Sequence, residues 1–301
     1  MAVLRARPQY DKLPRRFDLE ARDLRQRLSH APEVFSFFEF DGTLVEIAPG
    51  PDDIALSERR KQYLRELSSA PGCSVAVVSG RPADELRKLI GLDGIFYVGC
   101  HGLEWIAPDG TRYLSWPHRV VVDALRSLRE ELRDSLAGFE GVLLEDKGIA
   151  LALHYRKAKR DTALRARKEF VRAVGWYQQQ GAKLELLAGK KVIEAKTVGI
   201  KKGDAIAQIL ARRTPSAVPV YIGDDMTDQS AFDAIAERGL AIVVARTPRA
   251  TAAAYYLRDP GNVYAYMRWL TQMRRPSTTS VLMNASAGEK RRALQAPYKS
   301  A

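Results

Sequence analysis

Cysteine is scarce in this 301-residue chain: only Cys73 and Cys100 are present. Both sit in apolar segments with strand character. They read as reduced, buried thiols of a cytosolic protein, and a disulfide-stapled scaffold is excluded. Long apolar runs are also missing. No stretch approaches the ~18 residues a membrane-spanning helix needs, so no membrane partner is expected. The opening residues, Met-Ala-Val-Leu-Arg-Ala-Arg-Pro, lack the apolar segment of a secretory signal, and the expected location is the cytoplasm. No internal repeat is evident, which argues against a repeat array.

What is present is ordinary for a folded protein: 46% apolar and 28% charged residues. The length admits two domains. A net charge of +12 suggests a polyanionic partner, but its distribution does not. Residues 1–32 carry eight Lys/Arg against four Asp/Glu, and residues 274–301 carry six against one. The body between them is close to neutral, so the basicity belongs to the ends and no nucleic-acid partner is expected.

Short apolar runs typical of buried parallel strands fall at Val34–Phe40, Ser74–Val78, Ile95–Val98, Val218–Ile222 and Leu240–Val244. Helical patterns at Ser57–Leu67, Pro82–Ile90, Lys202–Arg212 and Asp228–Ala236 separate several of them. This alternation predicts an α/β domain with a parallel sheet, formed by residues 33–112 and 197–273. Residues 113–196 follow a different pattern, with long amphipathic helices at Arg119–Leu136 and Arg160–Gln179. Strand-like stretches lie at Val142–Glu145, Ala150–Tyr155, Lys183–Leu187 and Lys191–Ala195. They predict an inserted α+β domain covering the first. Residues 1–32, with a helix near Asp18–Leu28, read as a charged peripheral extension. Residues 274–301 read as a disordered basic tail.

In an open parallel sheet, ligands bind beyond the carboxyl ends of the strands. Here the first strand runs into Glu39-Phe40-Asp41-Gly42-Thr43 and the second into Ser79-Gly80-Arg81. The third runs into Cys100-His101-Gly102-Leu103-Glu104, and the fourth into Gly223-Asp224-Asp225-Met226-Thr227-Asp228. Acids gathered at one sheet edge repel one another unless a cation holds them. Glu39, Asp41, Asp224, Asp225 and Asp228 are hard oxygen donors suited to Mg²⁺. For Asp225 and Asp228 a helix N-cap explains the residue equally well. A phosphomonoester is an anion approaching a carboxylate, and Mg²⁺ can bridge the two. Ser79 offers a hydroxyl and a backbone N–H to the phosphate. Lys202 offers an ammonium from a helix start, although alone it reads as a surface lysine. Thr43, Ser79, Gly80 and Lys202 form the expected phosphate-binding set.

In this order, these residues resemble the four motifs of the haloacid-dehalogenase (HAD) phosphatase superfamily, across most of residues 34–270. Within it, several blocks resemble trehalose-6-phosphate phosphatases. They are Phe-Glu-Phe-Asp-Gly-Thr-Leu, Val-Val-Ser-Gly-Arg-Pro, His-Gly-Leu-Glu, Glu-Asp-Lys-Gly, His-Tyr-Arg, Gly-Lys-Lys-Val-Ile-Glu and Gly-Asp-Asp-Met-Thr-Asp. The resemblance implies a Rossmann-like core with a mobile α+β cap. It implies Mg²⁺-dependent hydrolysis of trehalose 6-phosphate to trehalose and phosphate, a step of trehalose biosynthesis. Glu39 then holds the nucleophile position, which forms an acyl-phosphate. Asp41 is the general acid/base and offers its carbonyl to the metal. Asp224 is the direct metal ligand, with Asp225 and Asp228 in support. Glu145, Lys147 and Glu194 match positions that hydrogen-bond the disaccharide. His154 and Arg156 are further candidates. By themselves Glu145 and Lys147 read as an exposed strand pair of opposite charge, and His154 as a packed cap residue.

The chain departs from the family after Glu194, where Ala195-Lys196-Thr197 replaces Arg-Pro. It departs again at Glu39, where the family has aspartate. Glutamate keeps the charge but moves the carboxylate by about one bond length, and a ~1 Å misplacement can cost on the order of 10²-fold in rate. Three readings of Glu39 stand: an introduced change that traps a complex, a natural glutamate with an adjusted backbone, or a pseudophosphatase or regulatory sugar-phosphate-binding protein.

Overall fold

Val34-Phe35-Ser36-Phe37-Phe38 is apolar at nearly every position, so both faces of the segment must be covered. In the computed structural model it forms a strand at the centre of a parallel sheet. The structure describes residues 10–47, 54–114, 119–148 and 150–275. The expected tail beyond Arg275 lies outside them.

In chain order the strands are β1 (Arg15–Arg16), β2 (Val34–Glu39), β3 (Cys73–Val78), β4 (Phe96–Gly99), β5 (Glu104–Ile106) and β6 (Arg112–Leu114). They continue with β7 (Leu143–Asp146), β8 (Ala150–His154), β9 (Leu184–Gly189), β10 (Val192–Thr197), β11 (Val218–Gly223), β12 (Leu240–Val244) and β13 (Tyr255–Leu257). The helices are α1 (Arg22–His30), α2 (Glu58–Ser68), α3 (Ala83–Ile90), α4 (Arg119–Ser135) and α5 (Arg160–Gln179). They end with α6 (Lys202–Leu210), α7 (Gln229–Ile235) and α8 (Pro260–Arg274).

The main sheet has the order β1-β13-β12-β11-β2-β3-β4-β5-β6. It is parallel from β1 through β4, and β5 and β6 return antiparallel. Period-2 alternation splits β2 between two cores. Val34 and Phe38 face a cluster with Leu64 of α2, Leu86 of α3 and Met267 of α8. Phe35 and Phe37 face Ile206 of α6 and Phe232 of α7. Ser36 is tolerated in the first core because its hydroxyl lies 3.2 Å from the Tyr266 hydroxyl.

A second, antiparallel sheet of order β7-β8-β10-β9 carries α4 and α5. Leu128, Leu132, Phe170 and Val174 from these helices close its own core against Leu151, Leu153 and Ile193. Residues 112–114 pair with β5 and so belong to the main sheet.

Residues 15–31 are built into the main domain rather than lying at its periphery. β1 pairs with β13, and Phe17, Leu24 and Leu28 are buried. Phe17 meets Tyr255, Tyr266 and Trp269 edge-on. The surrounding charge masked these three apolar anchors in the sequence.

Candidate active site

The sheet ends place the acids. β2 delivers Glu39, and the chain then folds back on itself. Leu44 and Val45 N–H both donate to the Phe40 carbonyl, at 3.0 and 3.1 Å, and Gly42 N–H donates to the Val45 carbonyl at 2.8 Å. Gly42 has φ +89°, and a Cβ there would lie 2.2 Å from Asp224 Oδ2. Glycine therefore lets the β2 turn and the end of β11 meet.

Lys202 opens α6. Asp204 accepts the Lys201 N–H at 2.9 Å and closes that helix end. At Gly203 a Cβ would lie 2.1 Å from the Ser230 carbonyl, so α6 and α7 approach backbone to backbone. That approach brings Lys202 beside Asp228, with Nζ donating to Asp228 Oδ1 at 2.8 Å and, in a shorter contact, to Glu39 Oε2. All three are buried. Burial pushes the Glu39 carboxyl well above the usual range, against the attraction of Lys202 and with the repulsion of Asp228 and Asp224. Burial also acts to raise Asp228, but Lys202 holds it below its ordinary value. Lys202 itself stays protonated, because the two carboxylates outweigh its desolvation.

Asp228 was expected among the metal ligands. Its carboxylate is engaged on both oxygens: Oδ1 also accepts from the Tyr221 hydroxyl at 2.7 Å, and Oδ2 from the Asp225 N–H at 2.9 Å. The geometry uses it to hold Lys202. Asp225 accepts the Met226 N–H at 2.6 Å, which is the cap arrangement foreseen as its plain explanation. Asp224 is buried, and desolvation with Asp228 nearby raises it to about 6. Its Oδ2 receives Lys190 Nζ at 2.5 Å.

Asp41 is partly exposed and is gripped by Arg81, whose Nε and Nη2 donate to its two oxygens at 3.0 and 3.3 Å. Ser79 Oγ donates to the same carboxylate at 3.3 Å. The Ser79 N–H, expected to face phosphate, instead donates to the Val98 carbonyl at 2.9 Å, pairing β3 with β4. Its hydroxyl is engaged as well, donating to Asp41 and accepting the Arg81 N–H at 3.2 Å, so a ligand reaches it only by displacing the Asp41 contact. Thr43 is buried with its Oγ1 unpartnered among the described residues, and it lies outside the cavity wall.

The cavity lies between the two sheets. Glu39, Asp41, Ser79, Gly80, Lys202 and Asp224 line one side, and Glu145, Lys147, His154, Arg156 and Glu194 line the other. Lys147 follows β7 with its side chain sheltered rather than exposed, and it donates to Glu194 Oε2 at 2.7 Å and to the Gly80 carbonyl at 2.9 Å. Glu145 Oε2 lies 2.6 Å from His154 Nε2. Arg156 donates to the Lys190 carbonyl and steadies the β9–β10 hairpin. Lys196, in the stretch that departs from the family, turns away to Glu185 at 3.0 Å.

Arg81, His101 and Lys190 are cavity residues that had no assigned task in the sequence. All three lie inside family-like blocks: Ser-Gly-Arg-Pro, His-Gly-Leu-Glu and Gly-Lys-Lys-Val-Ile-Glu. His101 Nε2 is 3.4 Å from Glu194 Oε1, and burial lowers its pKa against the pull of Glu194.

Among the described residues, no three His, Cys, Asp or Glu side chains converge as a metal cluster. The donors expected for a cation are the Glu39 and Asp224 carboxylates and the Asp41 carbonyl; all three residues line the cavity, with Lys202 and Lys190 seated on the two carboxylates. That set fits Mg²⁺, which is held by one or two carboxylates and completes its shell with water and phosphate oxygens. No helix among the described residues is long and apolar enough to cross a membrane.

A model of the trehalose-phosphatase family matches residues 37–261. A trehalose-phosphate phosphatase of Mycobacterium tuberculosis is 38% identical over 235 residues, covering 75% of this chain and 58% of the relative. One from Mycobacterium marinum is 37% identical over 240 residues, covering 77% of this chain and 60% of the relative. The chain thus spans about three fifths of the length of these relatives. Among solved structures, the C-terminal domain of the Candida albicans trehalose-6-phosphate phosphatase has a TM-score of 0.73 at 20% identity. The match covers 87% of this chain and 98% of that one. A haloacid dehalogenase-like hydrolase from Bacteroides thetaiotaomicron has a TM-score of 0.56 at 14% identity, covering 78% of this chain and 98% of that one. At such identities these structures speak for the fold.

Proposed function

This chain belongs to the trehalose-phosphatase family, and from that premise we propose that it is a Mg²⁺-dependent phosphatase acting on trehalose 6-phosphate. The observation that carries the reading is the single cavity in which Glu39, Asp41, Ser79, Lys202 and Asp224 face Glu145, Lys147 and Glu194. One wall suits a phosphate and the other a polyhydroxyl sugar.

Lys202, protonated and buried, draws the phosphoryl group toward the end of β2. The Glu39 carboxylate attacks phosphorus while the P–O bond to the sugar breaks. Asp41, fixed by Arg81 and Ser79, gives its proton to the departing sugar oxygen. It then takes a proton from the water that cleaves the acyl-phosphate, restoring Glu39 and releasing phosphate. Glu39, Asp224 and the Asp41 carbonyl would hold Mg²⁺, which supplies positive charge to offset carboxylates and phosphate. The cap side chains orient the disaccharide and exclude water.

Phosphate release from trehalose 6-phosphate, with Mg²⁺ and with EDTA, tests the reading. Release that depends on Mg²⁺ supports it; no release under either condition rules it out. Calorimetric titration of Mg²⁺ into Asp224→Asn should show much weaker binding than in the parent. Equal affinity would remove Asp224 from the metal site.

A further inference from the structure

On the far side of Asp224, the loop after β12 and the start of α8 wall a second cleft. We propose that this cleft is a separate anion site, taking a phosphate-type oxyanion on Arg246, Arg249 and Arg258.

The acids beside the cleft are already engaged. Asp224 receives Lys190, Asp259 accepts the Asn262 N–H at 3.0 Å as the cap of α8, and Glu46 faces Arg60 at 3.3 Å. The arginines are not neutralised in return. Among the described residues, neither Arg246 nor Arg258 has an ion pair, and Arg249 reaches only the Asp224 carbonyl, at 3.4 Å. Three exposed arginines therefore line one concave surface, and among the described residues Arg246 and Arg258 keep their forked donors free of ion pairs. That geometry matches phosphate oxygens better than isolated cations do. The cleft lies beyond the carboxyl end of β12, the edge where a parallel sheet receives ligands. The amino-terminal turn of the 15-residue α8 adds partial positive charge.

Lys190 and Asp224 line both this cleft and the sugar-phosphate cavity, so their ion pair is the partition between them. The oxyanion has two possible sources, free inorganic phosphate or the phosphoryl group of a sugar phosphate. The anion site does not depend on turnover, so it stands apart from the phosphatase reading.

The test follows the arginine Nε–Hε resonances of the labelled full chain. The three signals are assigned with single Arg→Lys variants. Sodium phosphate is titrated against sodium chloride at matched ionic strength. Saturable shifts at all three arginines with phosphate, and only a linear drift with chloride, are expected. The same response to both salts would reduce the cleft to general screening and overturn the proposal. Arg258→Gln should weaken phosphate binding at the remaining two arginines by about threefold, the scale of an exposed charge pair. Unchanged affinity would also overturn it. Ser79→Ala separates the two sites: the arginine shifts should persist, and their loss would mean the signal comes from the catalytic cavity. Parallel titration with trehalose 6-phosphate in EDTA, with free phosphate assayed to confirm that no turnover occurs, identifies the source. Saturation there assigns the cleft to the sugar phosphate, and saturation by inorganic phosphate alone assigns it to the free anion.

Discussion

At position 39 one methylene decides how the site is wired. The longer Glu39 side chain reaches Lys202, which a phosphate also needs, and both are buried at the floor of the cavity. Glu39→Asp retracts the carboxylate and leaves Lys202 on Asp228. Turnover should rise by about 10² if misplacement is the whole defect. Mg²⁺ affinity should change less, since charge is conserved. Steady-state phosphate release together with Mg²⁺ titration checks both halves. A parent already as fast as the variant would mean that this backbone accommodates glutamate.

Among the elements, β7 and β10 carry the cap carboxylates and α8 buttresses the sheet. Glu145 and Glu194 stand on neighbouring strands of β8, so a rigid surface holds both. Replacing the pair with Gln should weaken trehalose 6-phosphate binding and spare a small aryl phosphate that never touches the cap. Competition assays with the two substrates decide this, and equal losses would deny the cap its role in sugar selection. α8 starts on an Asp259-Pro260 signature, with Asp259 as the cap and Pro260 in the first turn. Asp259→Ala should cost about 1 kcal/mol in urea unfolding. The apolar face of this helix, including Val263, Met267 and Leu270, was legible at a spacing of three to four residues. The polar, charged tail that follows obscures this periodicity in the sequence.

Across the whole molecule, cap and core meet through charge at the cavity: Lys147 on Gly80, Glu194 beside His101, Lys190 on Asp224. Burial works against the Glu194 carboxylate, yet Lys147 and His101 hold it well below the usual range. With a depressed folded value, the unfolded chain takes up the proton first as pH falls. The stabilisation is full above the unfolded value of 4.5 and fades below it. The urea midpoint should therefore decline between about pH 5 and pH 3, and Glu194→Gln should flatten that decline. An unchanged slope would assign the acid sensitivity to other carboxylates.

The sequence by itself determined the parallel core, the inserted α+β segment and the order of the acidic strand ends. Each rests on local pattern: unbroken apolar runs, helical periodicity, glycine-acid turns. It also brought Glu39, Asp41, Ser79, Lys202 and Asp224 to one edge, because strands of a parallel sheet all end on the same side. Only the tertiary structure decided what each side chain touches. It committed Asp228 to Lys202 and Tyr221, spent the Ser79 N–H on Val98, and tied Arg81 to Asp41. It also drew residues 15–31 into the core through Phe17, Leu24 and Leu28. These partners lie far apart in the chain, and no local pattern encodes a pairing set by how β2, β3, β11 and α6 pack. The physical reason is burial: once water is excluded, each donor and acceptor must take whichever partner the packing presents.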